Sequence, residues 1–167
     1  MKKKLHPAVK ISWRIGSYIG MIFLIFFFFM WGGLFIGALW GLLAGIGFIF
    51  GLLILWVIFI EIWVRLAYNR WFYEFTPDNL KIESGVIFKR YSNVPYERVQ
   101  NVDIRRGIIA RMFGFSAVNI QTAGYHYGGQ GGFGSEGHIP AVDMQEAENI
   151  RDFLMKKISR KHSNSGL

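Results

Sequence analysis

From Ile15 to Ile60 the chain runs for 46 residues without a single Asp, Glu, Lys or Arg. Beyond Trp71 it breaks into short runs in which apolar and polar positions alternate. The first pattern suits lipid and the second suits a half-buried sheet. As one helix the 46-residue run would reach ~70 Å, more than twice the ~30 Å hydrocarbon core, so it has to turn back. The simplest solution is a two-helix transmembrane hairpin over residues 13–67, with spans at about 13–31 and 36–63 and the turn at Gly32-Gly33. Trp13, Tyr18 and Trp31 stand where aromatic anchors meet the interface.

In the second region Trp71 to Phe75 predicts a strand, stopped by Thr76-Pro77-Asp78-Asn79. Leu80 to Glu83 alternates as a second strand. Ser84-Gly85 turns the chain into a third, Val86 to Val94, ended by Pro95. Val102 and Ile104 alternate in a fourth strand, and Val118, Ile120 and Thr122 in another. Two helices interrupt the sheet. Ile108 to Phe113 is short, with Gly114 placed as its C-terminal cap. The second helix opens on a capping box, Asp143 with Glu146, buries Ala147, Ile150, Leu154 and Ile158 on one face, and ends in Lys156, Lys157, Arg160 and Lys161. The fold class is α+β, with a small, partly open antiparallel barrel plugged by its last helix.

Composition sharpens this division. Hydrophobic residues make up 52% of the chain and its mean hydropathy is +0.28, too apolar for an ordinary soluble domain. The net charge of +8 is unevenly spread: Lys2, Lys3, Lys4, Lys10 and Arg14 precede the apolar run with no acidic residue among them. A nucleic-acid footprint would concentrate on the folded domain, so nucleic acid is not an expected partner. The basic residues flank both ends of the run, Arg65 and Arg70 on the far side, while the connecting loop has none. The positive-inside rule then puts both termini in the cytoplasm of a multi-pass plasma-membrane protein. The resulting map is a basic cytoplasmic tail at 1–12, the hairpin at 13–67, a cytoplasmic domain at 68–161 and a frayed tail at 162–167. The run is some three times longer than the core of a secretory signal, so it is read as retained. With no cysteine there is no disulfide, thiolate nucleophile or cysteine metal site.

Four blocks of the domain resemble one family: Ile82-Glu83-Ser84-Gly85-Val86-Ile87, Val94-Pro95-Tyr96-Glu97-Arg98-Val99-Gln100-Asn101-Val102, Ile109-Ala110-Arg111-Met112-Phe113-Gly114-Phe115, and Val118-Asn119-Ile120-Gln121-Thr122-Ala123-Gly124. In this order they resemble the bacterial pleckstrin-homology-like (PH-like) membrane proteins, over about residues 70–158. The resemblance implies a PH-like antiparallel β-barrel capped by a C-terminal α-helix at the inner face of a prokaryotic plasma membrane. It implies no enzymatic activity.

Candidate contacts follow from charge and spacing. Arg98, Gln100, Arg105 and Arg111 belong to the most polar-dense stretch; they are either solvated and locally paired or a contact for an anionic headgroup or partner. Lys89 and Arg90 sit near the bilayer, where each basic residue is worth about 1 kcal/mol against an anionic leaflet. Gly33, Gly37, Gly41 and Gly45 recur at spacings of four, suited to close helix packing, either within the molecule or in self-assembly or docking on another membrane protein. The stretch Gly124 to Gly137 holds seven glycines with Tyr125, His126, Tyr127 and Phe133. It lacks the Lys and Ser/Thr of a phosphate loop and reads as a hairpin tip or a partner-binding loop. The four histidines are scattered, so neither a metal nor another cofactor is expected, and no nucleophile and base can be assembled. The expected function is a non-enzymatic, membrane-anchored binding or scaffold module. Its partners would be membrane lipids and either further copies, as a homo-oligomer, or a larger membrane protein of the same family. The alternatives are an anionic lipid-headgroup sensor and an accessory subunit of a transport or export complex.

Overall fold

The computed structural model describes residues 2–26, 30–122 and 135–164. The chain separates into two units, Lys10–Leu66 and, as the other, Met1–Val9 with Ala67–Leu167.

In the first unit lie most of the helices α1 (Val9–Leu24), α2 (Met30–Trp40) and α3 (Leu42–Asn69). Among the described residues only α3 is both long and apolar enough to cross a membrane: its 28 residues reach ~42 Å. Gly32 and Gly33 are helical, and the break comes at Gly41, whose φ of 92° is left-handed. The expected turn is therefore displaced towards the C-terminus. The reason is packing: Gly33 and Gly37 are needed inside a helix, where they meet Gly45. A Cβ added to Gly45 would stand 2.5 Å from the Gly33 carbonyl oxygen and 3.1 Å from the Gly37 Cα. Gly41, read from its spacing as a packing glycine, supplies the break instead. Met21 of α1 packs with Ile60 and Val64 of α3, flanked by Trp13, Tyr18, Leu53 and Trp56. Beside them Arg14 and Glu61, the charges that bracket the apolar run, form a salt bridge of 2.7 Å. Most other large apolar side chains of this unit, among them Phe23, Leu42, Leu43 and Phe50, face outward.

The second unit holds two antiparallel sheets. The first has the order β1 (Lys3–Lys4), β2 (Phe72–Phe75), β3 (Asn79–Ser84), β4 (Arg90–Pro95). After a 3-10 turn at Tyr96–Arg98 come β5 (Val99–Arg105), β6 (Phe115–Thr122) and β7 (Ser135–Asp143), a three-stranded sheet in that order. The short α4 (Ile108–Met112) links β5 to β6, and α5 (Met144–Asn164) follows β7. This arrangement fits a PH-like domain, but the described strands form two sheets rather than one closed barrel. Tyr73, Leu80 and Val94 from one sheet, Val118, Ile120, Ile139 and Val142 from the other, and Ala147, Ile150 and Leu154 of α5 make the core.

Several expectations change here. Part of the stretch expected as a basic tail is docked on the domain: Lys3 pairs with Tyr73 and Lys4 with Phe72 as an edge strand. Leu5 and Val9 are only 2% and 1% exposed, and the His6 amide donates to the Ala141 carbonyl at 3.0 Å. The third strand begins at Arg90 rather than Val86, because Gly85, at φ 112°, opens a turn through residues 86–89. β7 is an additional strand. Pro140 interrupts its pattern but is accommodated where the register with β6 shifts between Ser116 and Val118, as expected for proline at a bulge. The capping box is half formed. Asp143 Oδ1 accepts the Gln145 amide at 3.0 Å, while Glu146 binds Lys3 Nζ at 2.6 Å. Helix α5 runs to Asn164, into the stretch expected to fray. The glycine-rich segment lies, from 123 to 134, outside the described residues.

Candidate functional site

The register of the first sheet gathers basic side chains at one end. Lys4 pairs with Phe72, Phe72 with Glu83, and Ser84 with Arg90, so β1, the start of β2, the β3–β4 turn and the start of β4 share an edge. Gly85 sets the turn, because a Cβ there would collide with the Phe88 carbonyl oxygen. Arg70, directly after α3, donates through Nη1 to the Val86 carbonyl at 2.7 Å and fixes the turn from outside. Arg70, Phe72, Glu83, Lys89, Arg90 and Tyr91 line a small cavity of about 100 Å³. Glu83 is held by Lys2 at 2.7 Å, and this bond raises the Lys2 ammonium pKa. Lys4 lies over the Phe72 ring, 5.8 Å from its centroid. At the tip of the turn Ile87 is 72% exposed and Phe88 87%.

Lys89 and Arg90, chosen from sequence, both belong to this site and are exposed. The other four chosen residues do not join it as one patch. Arg98 closes the 3-10 turn, Gln100 sits at the irregularity near the start of β5, and Arg105 ends that strand. Seven residues of strand put Arg98 and Arg105 roughly 20 Å apart. Arg111 lies on α4. All four are exposed. The neighbouring amides are engaged in the sheet: Asp103 receives Asn101 Nδ2 at 3.1 Å and Gln121 Nε2 at 2.8 Å. Arg70, Ile87 and Phe88 were missed. The non-alternating order Val86-Ile87-Phe88-Lys89 after a glycine was the available signal for the exposed pair. A bond from Arg70 to a carbonyl 16 residues away has no local signature.

A second, open groove of about 510 Å³ runs beside β2 and the start of α5, with Phe75, Asp143, Glu146 and Phe153 in its lining. Its carboxylates already have partners: Asp143 caps α5 and Glu146 binds Lys3. Tyr73, behind it, has its phenol pKa raised by burial and by the charge of Glu146. Tyr96 donates to the Thr76 carbonyl at 2.8 Å, and burial pushes its phenol up to about 12. His138 Nδ1 lies 2.6 Å from Asn119 Oδ1. Burial, with the nearby Arg105, lowers its pKa. Among the described residues no cluster of three His or carboxylate side chains could hold a metal ion.

Two proteins of Bacillus subtilis (strain 168) are similar in sequence. UPF0699 transmembrane protein YdbT is 25% identical over 114 residues, 68% of this chain and 21% of its own. UPF0699 transmembrane protein YdbS is 28% identical over 92 residues, 55% of this chain and 52% of its own. The chain thus spans about half the length of one relative and about a fifth of the other. No solved structure matches it significantly. A model of the bacterial PH domain matches residues 15–158, taking in most of the apolar segment as well as both sheets, and the chain belongs to that family as a membrane-associated member.

Proposed function

We propose that this protein is a non-enzymatic binding module, held at the inner leaflet by a two-helix hairpin, whose PH-like domain assembles with further copies or with a larger membrane protein of its family. The observation that carries the anchoring is the pairing of β1 with β2. Residues on either side of the apolar segment are hydrogen-bonded neighbours in one sheet, which supports a segment that leaves and returns on one side of the bilayer. The salt bridge between Arg14 and Glu61 supports the same reading from within the segment. The lysines and arginines at both ends favour the cytoplasmic side. Assembly is supported by the tether, which confines the domain to a thin layer and raises its effective concentration for partners. It is also supported by the existence in one organism of two such relatives, of which this chain spans very different shares.

Single cysteines test the topology, since the chain has none of its own. A membrane-impermeant maleimide applied to intact spheroplasts should label Trp40→Cys, at the end of α2, and should reach Asn93→Cys on β4 only after lysis. The opposite pattern, or protection of both sites before and after lysis, overturns the hairpin. Native mass spectrometry of the chain released with its lipids tests the assembly. A defined oligomer or a co-released membrane protein supports it. A bare monomer carrying selectively retained anionic lipid transfers the reading to a headgroup sensor.

A further inference from the structure

The β3–β4 turn presents two large apolar side chains to water in a way the domain has no use for. Ile87 and Phe88 are 72% and 87% exposed, yet the turn that carries them is fixed by the left-handed Gly85, by the pairing of Ser84 with Arg90 and by the bond from Arg70 to Val86. The pair is displayed rather than collapsed onto the sheet. Behind it stand Arg70, Lys89 and Arg90 around the small cavity, whose one carboxylate, Glu83, is taken by Lys2. An apolar tip with a basic collar matches the layering of an anionic membrane surface, phosphates outside and acyl chains within.

We propose that the β3–β4 turn is a lipid-inserting wedge, with Ile87 and Phe88 entering the boundary between headgroups and acyl chains while Arg70, Lys89 and Arg90 hold anionic lipid phosphates. The inference rests on the anchored, inner-leaflet reading above and adds a site and a ligand class to it. Chain length permits it: Arg70 lies five residues after Arg65, the first basic residue beyond the apolar run, and so within about 18 Å of it even in a fully extended chain. Charge selects the occupant. A second copy docking its own turn here would bring two basic collars together, which like-charge repulsion opposes, whereas an anionic leaflet complements the collar.

The test uses the full chain in nanodiscs of phosphatidylethanolamine with phosphatidylglycerol, and in discs of phosphatidylcholine alone. Phe88→Cys carries an environment-sensitive NBD label, and Ile87→Cys serves as a second site; both positions are exposed, so neither variant threatens the fold. In the anionic discs the label should emit to the blue and be quenched about twofold by lipids bearing a nitroxide on the upper acyl chain, a depth typical of interfacial insertion. Lys89→Gln with Arg90→Gln should lower the inserted-to-free ratio about 25-fold, fivefold for each charge near the leaflet. A blue-shifted label that nitroxide lipids fail to quench indicates protein contact and overturns the proposal. A label that stays in water in the anionic discs also overturns it, while a Phe50→Cys label on α3 remains quenched and the anchoring stands. A Phe50→Cys label that escapes lipid quenching removes the anchoring itself, and the wedge with it.

Discussion

Gly85 and His138 hold separate backbone and side-chain conditions of the domain. Gly85 combines φ 112° with a backbone oxygen in the space a Cβ would fill, so Gly85→Ala adds steric collision to torsional strain. We expect a loss of about 2–3 kcal/mol, read as a lower thermal midpoint of the purified chain and faster amide exchange in residues 84–90. His138 acts through protonation. Its imidazole, ordinarily titrating near 6.5, is held lower in the fold by burial and by Arg105. The unfolded chain therefore binds the proton first as the solution acidifies. Stability is complete above about pH 6.5 and falls as pH drops towards the folded-state pKa. His138→Gln retains a donor for Asn119 Oδ1, so its thermal midpoint should match the parent at pH 8 and fall less steeply from pH 6.5 to 5. Parallel profiles would remove His138 as the cause.

Elements whose partners are close in sequence were legible, and those completed from afar were not. The alternation in Leu80 to Glu83 and in Val118 to Thr122 marked β3 and β6, and the apolar face of Ala147, Ile150 and Leu154 marked α5, because each pattern records burial on one side. β1 was hidden: two lysines look like solvent-exposed chain, and their partners Tyr73 and Phe72 lie across the apolar segment. β7 was hidden by Pro140 and Gly137, which puncture the strand pattern where it is bulged. Of the basic site, Lys89 and Arg90 could be picked by charge, but Arg70 is recruited by folding alone. Leu5 shows what the hidden strand contributes. Leu5→Ala should destabilise the domain by about 2–4 kcal/mol, read as a lower thermal midpoint of the purified chain; an unchanged midpoint would mean that the strand is decorative. In the apolar segment Gly45→Ala should lower the thermal midpoint, since its Cβ forces α2 from α3, whereas an added Cβ at Gly51 meets nothing within 4 Å, so Gly51→Ala should leave it unchanged.

For the molecule as a whole, the domain is discontinuous in sequence, with Met1–Val9 and Ala67–Leu167 forming one unit around the inserted apolar segment. A soluble piece cut at residue 67 therefore leaves the β2 edge unpaired and the Leu5 and Val9 sites empty. We expect residues 67–164 alone to aggregate or melt without a cooperative transition. The same piece preceded by residues 2–9 and a short Gly/Ser linker should be monomeric by size exclusion and melt cooperatively. A cooperative melt of the shorter piece at the same midpoint would refute this. The β1–β2 pairing also imposes an order of events during synthesis. The first strand leaves the ribosome early, and its partner emerges only after the whole apolar segment, so their pairing closes a loop of about seventy residues at an entropic cost. Under the hairpin reading, a chain whose segment has crossed the bilayer once instead of twice strands β1 on the wrong side, where no rearrangement of the domain can reach it. Completion of the sheet then acts as a proofreading step for membrane insertion, leaving misinserted chains unfinished and exposed to proteolysis.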